Sequence, residues 1–324
     1  MFHGSLVPCA ERRIIKMNYL VTGAAGFIGA AIAEKLIEEG HSCTTIDNLF
    51  TGKKEHIPAK CKFIMGDTSD IKVIEQLGNE HFDAIIHIAG QSSGEVSFDN
   101  PVYDLHTNTQ STILLLDYAK RTGCKKFIYA SSMSVYGDHN PPVCTEETVT
   151  VPKSFYAVGK LASENYMRIY SEFGIACTAL RFFNVYGVGQ NMDNLRQGMA
   201  SIFLAMAIKD GYINVKGSKD RFRDFVYIDD VVCAVIKALE REEGYQVYNV
   251  ATGKKTTVEK VVNKISNSLS NTIHVEYSGG TPGDQFGIYG DYSKIEQELD
   301  WRPEVEFDEG MDRMIKWAVE SMKK

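Results

Sequence analysis

What this 324-residue chain lacks narrows it first. No apolar run approaches the roughly 18 residues that a membrane-spanning helix needs, so no membrane span is expected. There is no excess of positive charge. The 35 Lys and Arg face 42 Asp and Glu, a net charge of −7, which argues against nucleic-acid binding and against electrostatic docking on anionic lipid. There is no CxxC and no Cys/His cluster at metal-ligand spacing, so no metal is expected. The seven cysteines (9, 43, 61, 124, 144, 177 and 233) are odd in number and scattered, which reads as free thiols in a reducing compartment. The opening MFHGSLVPCAERRIIK has no apolar core of signal-peptide length. Residues 1–16 read as an extension before the first strand, with Met17 an alternative start, and the expected compartment is the cytoplasm. With 44% hydrophobic and 24% charged residues, disorder is excluded as the dominant state.

What is present is an alternation of short β-rich runs and longer helical patterns. Strands are expected at 18–22, 41–47, 62–65, 84–89, 126–131 and 176–183. Helices are expected at 27–39, 71–77, 103–121 and 155–173. Such alternation is the signature of parallel βαβ units, and continuous apolar strands fit a sheet covered on both faces. The fold class expected is α/β, a Rossmann-type doubly wound parallel sheet with ligands outside the carboxyl ends of its strands. After residue 184 the texture changes to loops around a helix at 198–209. Strands at 225–228 and 247–250 are expected to return to the sheet, and Thr256-Thr257-Val258-Glu259 has the pattern of a capping box. The expected organisation is a cofactor domain over 17–184 with 223–250 returning to it. A smaller C-terminal α/β substrate lobe is expected from 185–222 and 251–324.

Gly23-Ala24-Ala25-Gly26-Phe27-Ile28-Gly29 joins the first strand to the first helix. Glycines at this spacing permit a sharp turn, close approach of backbone N–H groups to a pyrophosphate and tight helix–strand packing, with the helix N-terminus favouring negative charge. Asp47 ends the second strand, where an acid bonds the hydroxyls of an adenine ribose. A carboxylate there repels a 2′-phosphate and no Arg stands beside it, so NAD is favoured over NADP. Lys53 and Lys54 read as a solvated loop. Asp67 reads as a bond to the adenine edge, as a helix N-cap, or both.

Tyr156 and Lys160 stand at i and i+4, on one helix face. A phenol with a pKa near 10 is a poor base at neutral pH. An adjacent ammonium and the positive charge of NAD⁺ are expected to lower it. A serine in Ser131-Ser132-Met133-Ser134-Val135-Tyr136-Gly137, after the fifth strand, is placed to bond the same substrate oxygen.

These pieces, with HIAGQ (87–91), RFFNVYG (181–187), RDFVYIDD (223–230), PGD (282–284) and LDWRP (299–303), resemble the extended short-chain dehydrogenase/reductase family, in particular its NAD-dependent nucleotide-sugar epimerases and dehydratases. The resemblance runs from Asn18 to Trp317. It implies a catalytic triad of Ser132, Tyr156 and Lys160. It implies NAD contacts from Gly23, Gly26, Phe27, Ile28, Gly29, Asp47, Asn48, Asp67, Thr68, Ile88, Ala89, Gly90, Gln91, Asn108, Ala130, Ser131, Tyr156, Lys160, Phe183 and Val185. It implies contacts to a nucleoside-diphosphate sugar from Ser92, Glu95, Ser132, Met133, Asn184, Leu195, Arg196, Arg223 and Asp284. For Arg223 the competing reading is a salt bridge to Asp224 or Asp229. The resemblance also implies a homodimer through a four-helix bundle, for which Ile113, Leu114, Leu115, Leu116 and Tyr118 of one helix and Tyr166, Met167, Ile169 and Tyr170 of the other offer apolar surface.

Dehydratases of the family resemble a Thr-Asp-Glu or Thr-Ser-Glu stretch whose Glu removes a neighbouring proton. Met133 and Ser134 supply no such base. The Ser-x-Ser form is similar to the 4-epimerases. Three positions depart from that pattern. Thr281 replaces the Arg that grips the diphosphate, leaving Arg196, Lys219 or Arg221 to supply the charge. Glu95 brings an acid near the substrate, or is an exposed loop acid. Gly159 replaces Ser or Thr before the lysine, for which close packing against the cofactor is one reason. The first reading is a nucleotide-sugar 4-epimerase and the second a 4-dehydrogenase that releases a 4-keto sugar. The third, a non-enzymatic NAD sensor, has no use for an intact Tyr156–Lys160 pair.

Overall fold

The computed structural model describes residues 15–269, 272–280 and 285–322. Most of the N-terminal extension with Cys9, and Thr281 and Asp284, lie outside the described residues.

Seven parallel strands form the central sheet: β1 (Asn18–Thr22), β2 (Ser42–Asp47), β3 (Lys62–Met65), β4 (Ala84–His87), β5 (Lys126–Ser132), β6 (Ala176–Phe182) and β7 (Tyr245–Val250). They lie in the order β3-β2-β1-β4-β5-β6-β7. The chain works outward from β1 to β3, then starts again on the other side of β1 with β4. That reversal opens a crevice at the carboxyl ends of β1 and β4. Successive residues of one strand serve opposite faces: Leu20 and Ile85 join Leu115, Leu116 and Met167 on one side, while Val21 and Ile86 join Ile32, Leu36, Val231 and Val235 on the other. This two-sided cover is why β4 and β6 are buried along their whole length.

Three boundaries differ from expectation for identifiable reasons. The strand expected to run to residue 89 ends at His87, because the N–H groups of Ile88 and Ala89 donate to the Thr22 hydroxyl (3.2 and 3.1 Å) instead of to the sheet. The helix expected at 103–121 is Pro101–Leu105 and Ser111–Thr122 joined by a π turn at His106–Gln110. The strand expected at 225–228 does not return to the main sheet. Phe225–Tyr227 pairs with Asn184–Tyr186, and the seventh place is taken by β7. The helix Val258–Ser268 opens where expected. Its N-cap is Thr257, bonded by Lys260 N at 3.1 Å, and Glu259 pairs with Lys219 (2.8 Å) rather than closing a box. The six described cysteines are free thiols. Among the described residues no helix is long and apolar enough to cross a membrane and no cluster could hold a metal.

Candidate active site

The glycine turn follows β1 directly. Gly23 has φ +78, and a Cβ there would lie 2.8 Å from the Ala89 nitrogen. A Cβ on Gly29 would be driven into the Gly23 carbonyl. Helix Phe27–Glu38 starts at Gly26, which has no side chain to cap it, so its first N–H groups point into the crevice. Asp47 holds this turn as well as ending β2. One carboxylate oxygen accepts from Ala25 N (2.9 Å), the other from Leu49 N (2.8 Å). Asp67 accepts from Asn48 (2.8 Å) and from the amide and hydroxyl of Ser69 (2.8 and 2.7 Å). The following helix is capped by Asp70 instead, so Asp67 closes a turn and is not a helix cap.

Gly23, Gly26, Phe27, Ile28, Gly29, Asp47, Asn48, Asp67, Thr68, Ile88, Ala89, Gly90, Gln91 and Ser92 line one cleft of about 420 Å³. Its roof comes from elsewhere in the chain and carries no motif. The loop after Gly189 brings Gln190, Asn191, Asn194, Arg196 and Gln197 over the glycine turn. That loop is fastened at both ends. Asn191 donates to Thr51 O (3.1 Å) and Asp193 pairs with Lys53 (3.4 Å) and Lys209 (3.0 Å). Arg196 pairs with Asp99 (2.7 Å), and its carbonyl accepts from Ser93 (2.9 Å).

An adjoining cleft of about 390 Å³ is lined by Glu95, Ala130, Ser131, Ser132, Met133, Tyr156, Lys160, Phe183, Asn184, Val185, Arg196 and Arg223. Ser154 caps the helix Phe155–Ser171 through Ala157 N (3.2 Å), which fixes Tyr156 in its first turn and Lys160 in its second. Lys160 is buried. Its ammonium donates to Ala130 O (2.8 Å) and lies 5.6 Å from the centre of the Tyr156 ring. Ser132 lines the same cleft as Tyr156 and favours its phenolate, and Ser134 donates to Ser132 at 2.8 Å. The expected lowering of the phenol is not what the protein's own groups do. Burial, aided by Asp104, pushes Tyr156 up to about 12 against the pull of Ser132. Burial pushes Lys160 down to about 8, with Asp104 and Glu164 opposing.

Other expected residues are tied into the structure around the clefts. Ser131 donates to Glu164 (2.5 Å), which forms a buried ion pair with Arg181 (2.7 Å). Arg181 bonds the Tyr136 hydroxyl (2.9 Å), which donates to Asn249 (2.6 Å). This chain fastens the 131–136 segment, and its one sequence sign is an Arg in an apolar strand. Asn108 is buried in the π turn and donates to Gln91 O (2.9 Å), so it shapes the cleft without lining it. Leu195 is 48% exposed and lines neither cleft. Glu95 is half-buried among Lys216 (3.6 Å) and Arg196 (3.9 Å). A Cβ on Gly159 would stand 3.3 to 3.5 Å from Asn108, Asp104 and Thr109, and Gly159 does not line the cofactor cleft.

Arg223 is 4% exposed and donates to Phe222 O (2.7 Å) and Phe286 O (3.2 Å). Burial and then Arg221 push it down to about 10, against Asp138. The bonds of Asp224 go to Thr252, Gly253 and Gly290, and Asp229 pairs with Arg313. Of the three cations considered for the diphosphate, Arg196 lines both clefts. Lys219 pairs with Glu259, and Arg221 donates to the carbonyls of Lys216 and Ser218.

A sequence model of the NAD dependent epimerase/dehydratase family matches residues 19–251. The chain belongs to that family. It is 34% identical over 300 residues to a putative UDP-glucose 4-epimerase of Methanocaldococcus jannaschii, covering 92% of this chain and 97% of that protein. The structure of Thermotoga maritima UDP-glucose 4-epimerase with UDP-glucose superposes with TM-score 0.90 at 31% identity, over 94% of this chain and 100% of the other. That of Thermus thermophilus UDP-glucose 4-epimerase with NAD gives 0.87 at 32% identity, over 93% and 98%. The protein is thus an NAD-dependent enzyme of the epimerase/dehydratase family. The first cleft fits that cofactor. Gly23, Gly26 and Gly29 line it without side chains at the start of the helix, which leaves backbone N–H groups open to a pyrophosphate, and Asp47 lines it with a carboxylate at the end of β2.

Proposed function

We propose that the protein is a 4-epimerase of nucleoside-diphosphate sugars that works through a transient 4-keto sugar. The observation that carries this reading is the meeting of Ser132, Tyr156 and Lys160 beside the glycine cradle, with Met133 and Ser134 following the serine. NAD, when bound, supplies a hydride acceptor that can also return the hydride. Ser132 holds the sugar's 4-oxygen while Tyr156 takes its proton as the C4 hydride departs. Lys160, tethered to Ala130 O, keeps a positive charge near the phenol and would hold the nicotinamide ribose of bound NAD. Once the keto sugar has turned over, Tyr156 would give the proton back to the 4-oxygen as bound NADH returned the hydride to the other face, with no net oxidation. Met133 has no proton to move, and the Ser134 hydroxyl is committed to Ser132, so the base for dehydration is missing. Asn184 and Arg223 hold the substrate, with Arg196 and Arg223 as the charge-assisted donors for the diphosphate.

UDP-glucose is the first candidate substrate, because the named relatives act on it. The test is incubation with UDP-, GDP-, CDP- and dTDP-sugars, following product stereochemistry by NMR and nicotinamide absorbance. A C4-inverted sugar without lasting NADH supports the epimerase. Stoichiometric NADH with a 4-keto product and no inverted sugar means a 4-dehydrogenase instead.

We also infer a homodimer. Leu115, Leu116, Tyr118 and Met167 belong to the chain's own core and offer no docking surface. Exposed apolar residues on neighbouring helical segments include Val102, Leu105, Val158, Tyr166 and Ile169, and a twofold helix bundle would cover them.

A further inference from the structure

Behind the Tyr156–Lys160 turn lies a carboxylate that the scheme above does not use. Asp104 stands in the short helix before the π turn and is 1% exposed. Its Oδ2 accepts from the Gln91 amide at 2.8 Å, and the Asn108 side chain faces it as well. Its Oδ1 is buried with no hydrogen bond of ordinary geometry among the described residues. A Cβ on Gly159 would stand 3.3 Å from that oxygen and 3.3 Å from the Asn108 Cβ. Glycine inside a helix costs about 1 kcal/mol against alanine. Here it lets the carboxylate come up against the catalytic helix between Tyr156 and Lys160.

A carboxylate so buried is costly unless its surroundings answer the charge. Facing the Tyr156–Lys160 pair are Asp104, Glu164 from the same helix, His87 from β4 and Tyr129 from β5, whose ring centre is 4.7 Å from the Lys160 ammonium. Glu164 is answered by Arg181 and Ser131. His87 stays neutral, since burial and then Lys160 push it down to about 3. Burial pushes the Asp104 carboxyl up, and the Asn108 and Gln91 amides and the Lys160 ammonium oppose that rise; only Lys160 among them carries a charge, so the field of the carboxylate falls on the pair. A negative charge there favours the ammonium of Lys160 and opposes the phenolate of Tyr156.

We propose that Asp104 is a positioning residue that sets the protonation of the catalytic pair. It keeps Lys160 an ammonium within an apolar wall, and it keeps Tyr156 a phenol until the loaded site presents a cation. By gripping Gln91 it also fixes the 91–93 turn that borders both clefts. The proposal rests on Tyr156 being the base.

Asp104→Asn preserves shape and removes the charge. In the holoenzyme, both limbs of the pH profile of turnover are expected to move to lower pH, by about one unit. Independently of turnover, phenolate absorbance is titrated in the wild type and the variant, each with and without Tyr156→Phe, so that the difference isolates Tyr156. It is expected to ionise at lower pH in Asp104→Asn. Gly159→Ala, which pushes the carboxylate away, is expected to shift it the same way by less, and serves if Asp104→Asn does not fold. A folded variant that loses activity by one factor at every pH, with the Tyr156 titration unmoved, overturns the proposal. If the titration moves but Tyr156→Phe turns over normally, the coupling stands and the base assignment falls.

Discussion

Tyr156 and Lys160 leave their ordinary titration ranges in opposite directions, the phenol upward and the ammonium downward, and burial drives both. The protein alone thus stores a weak acid beside a weakened cation, and a charge brought in with the cofactor has to tip the balance. Tyr156→Phe removes only the hydroxyl. Turnover is expected to fall roughly 10²–10⁴-fold, while NAD stays bound, as read by release of the dinucleotide on denaturation. His87 gives a pH test of the fold. It is bonded by Thr22 (2.8 Å) and Ser111 (3.1 Å) and is neutral in the folded chain down to about 3. The unfolded chain takes up a proton near 6.5, so stability is lost as pH falls from there toward 3. In His87→Gln the unfolding midpoint is expected to fall less over that window than in the wild type. Equal slopes would show that the imidazole is not held neutral.

At the scale of elements, the glycine turn is the most exacting. Gly29→Ala forces a methyl into the Gly23 carbonyl, so the helix must shift from β1. Loss of NAD binding together with a lower unfolding midpoint is expected, measurable by dinucleotide titration and thermal unfolding. The strands β1 to β6 and the helix that carries Tyr156 and Lys160 were readable because periodicity and a glycine turn are local signals. The π turn was not: a five-residue hydrogen-bonded turn leaves the apolar periodicity of 103–121 looking like one helix. Nor was the early end of β4, which depends on a Thr22 hydroxyl 66 residues away in sequence. Asp47 and Tyr156 were found from spacing. Asp104, Glu164 and Arg181 escaped because their meaning lies in contacts between distant segments.

At the scale of the whole molecule, the residues first credited with a dimer surface divide into two groups. Leu115 and Leu116 face the sheet. Tyr166 and Ile169, 40% and 57% exposed, face outward with Val102, Leu105 and Val158. A protein with that outer stripe is expected to sediment as a dimer at micromolar concentration. Ile169→Lys, which touches neither cleft, is expected to shift it to monomer. A monomeric wild type would remove the dimer.

The roof over the cofactor cleft is held by ion pairs whose partners are largely open to water: Lys53 with Asp193, and Arg196 with Asp99. Exposed charges are screened within about 8–10 Å at ordinary ionic strength. The cradle beneath relies on backbone N–H groups that salt scarcely touches. How firmly the dinucleotide is kept is therefore partly a property of the medium: its dissociation should quicken with added potassium chloride. In Asp193→Asn, which removes the charge anchoring two lysines, release should be fast already at low salt and respond less to further salt. An off-rate that ignores ionic strength would mean that the roof is not what keeps the cofactor in place.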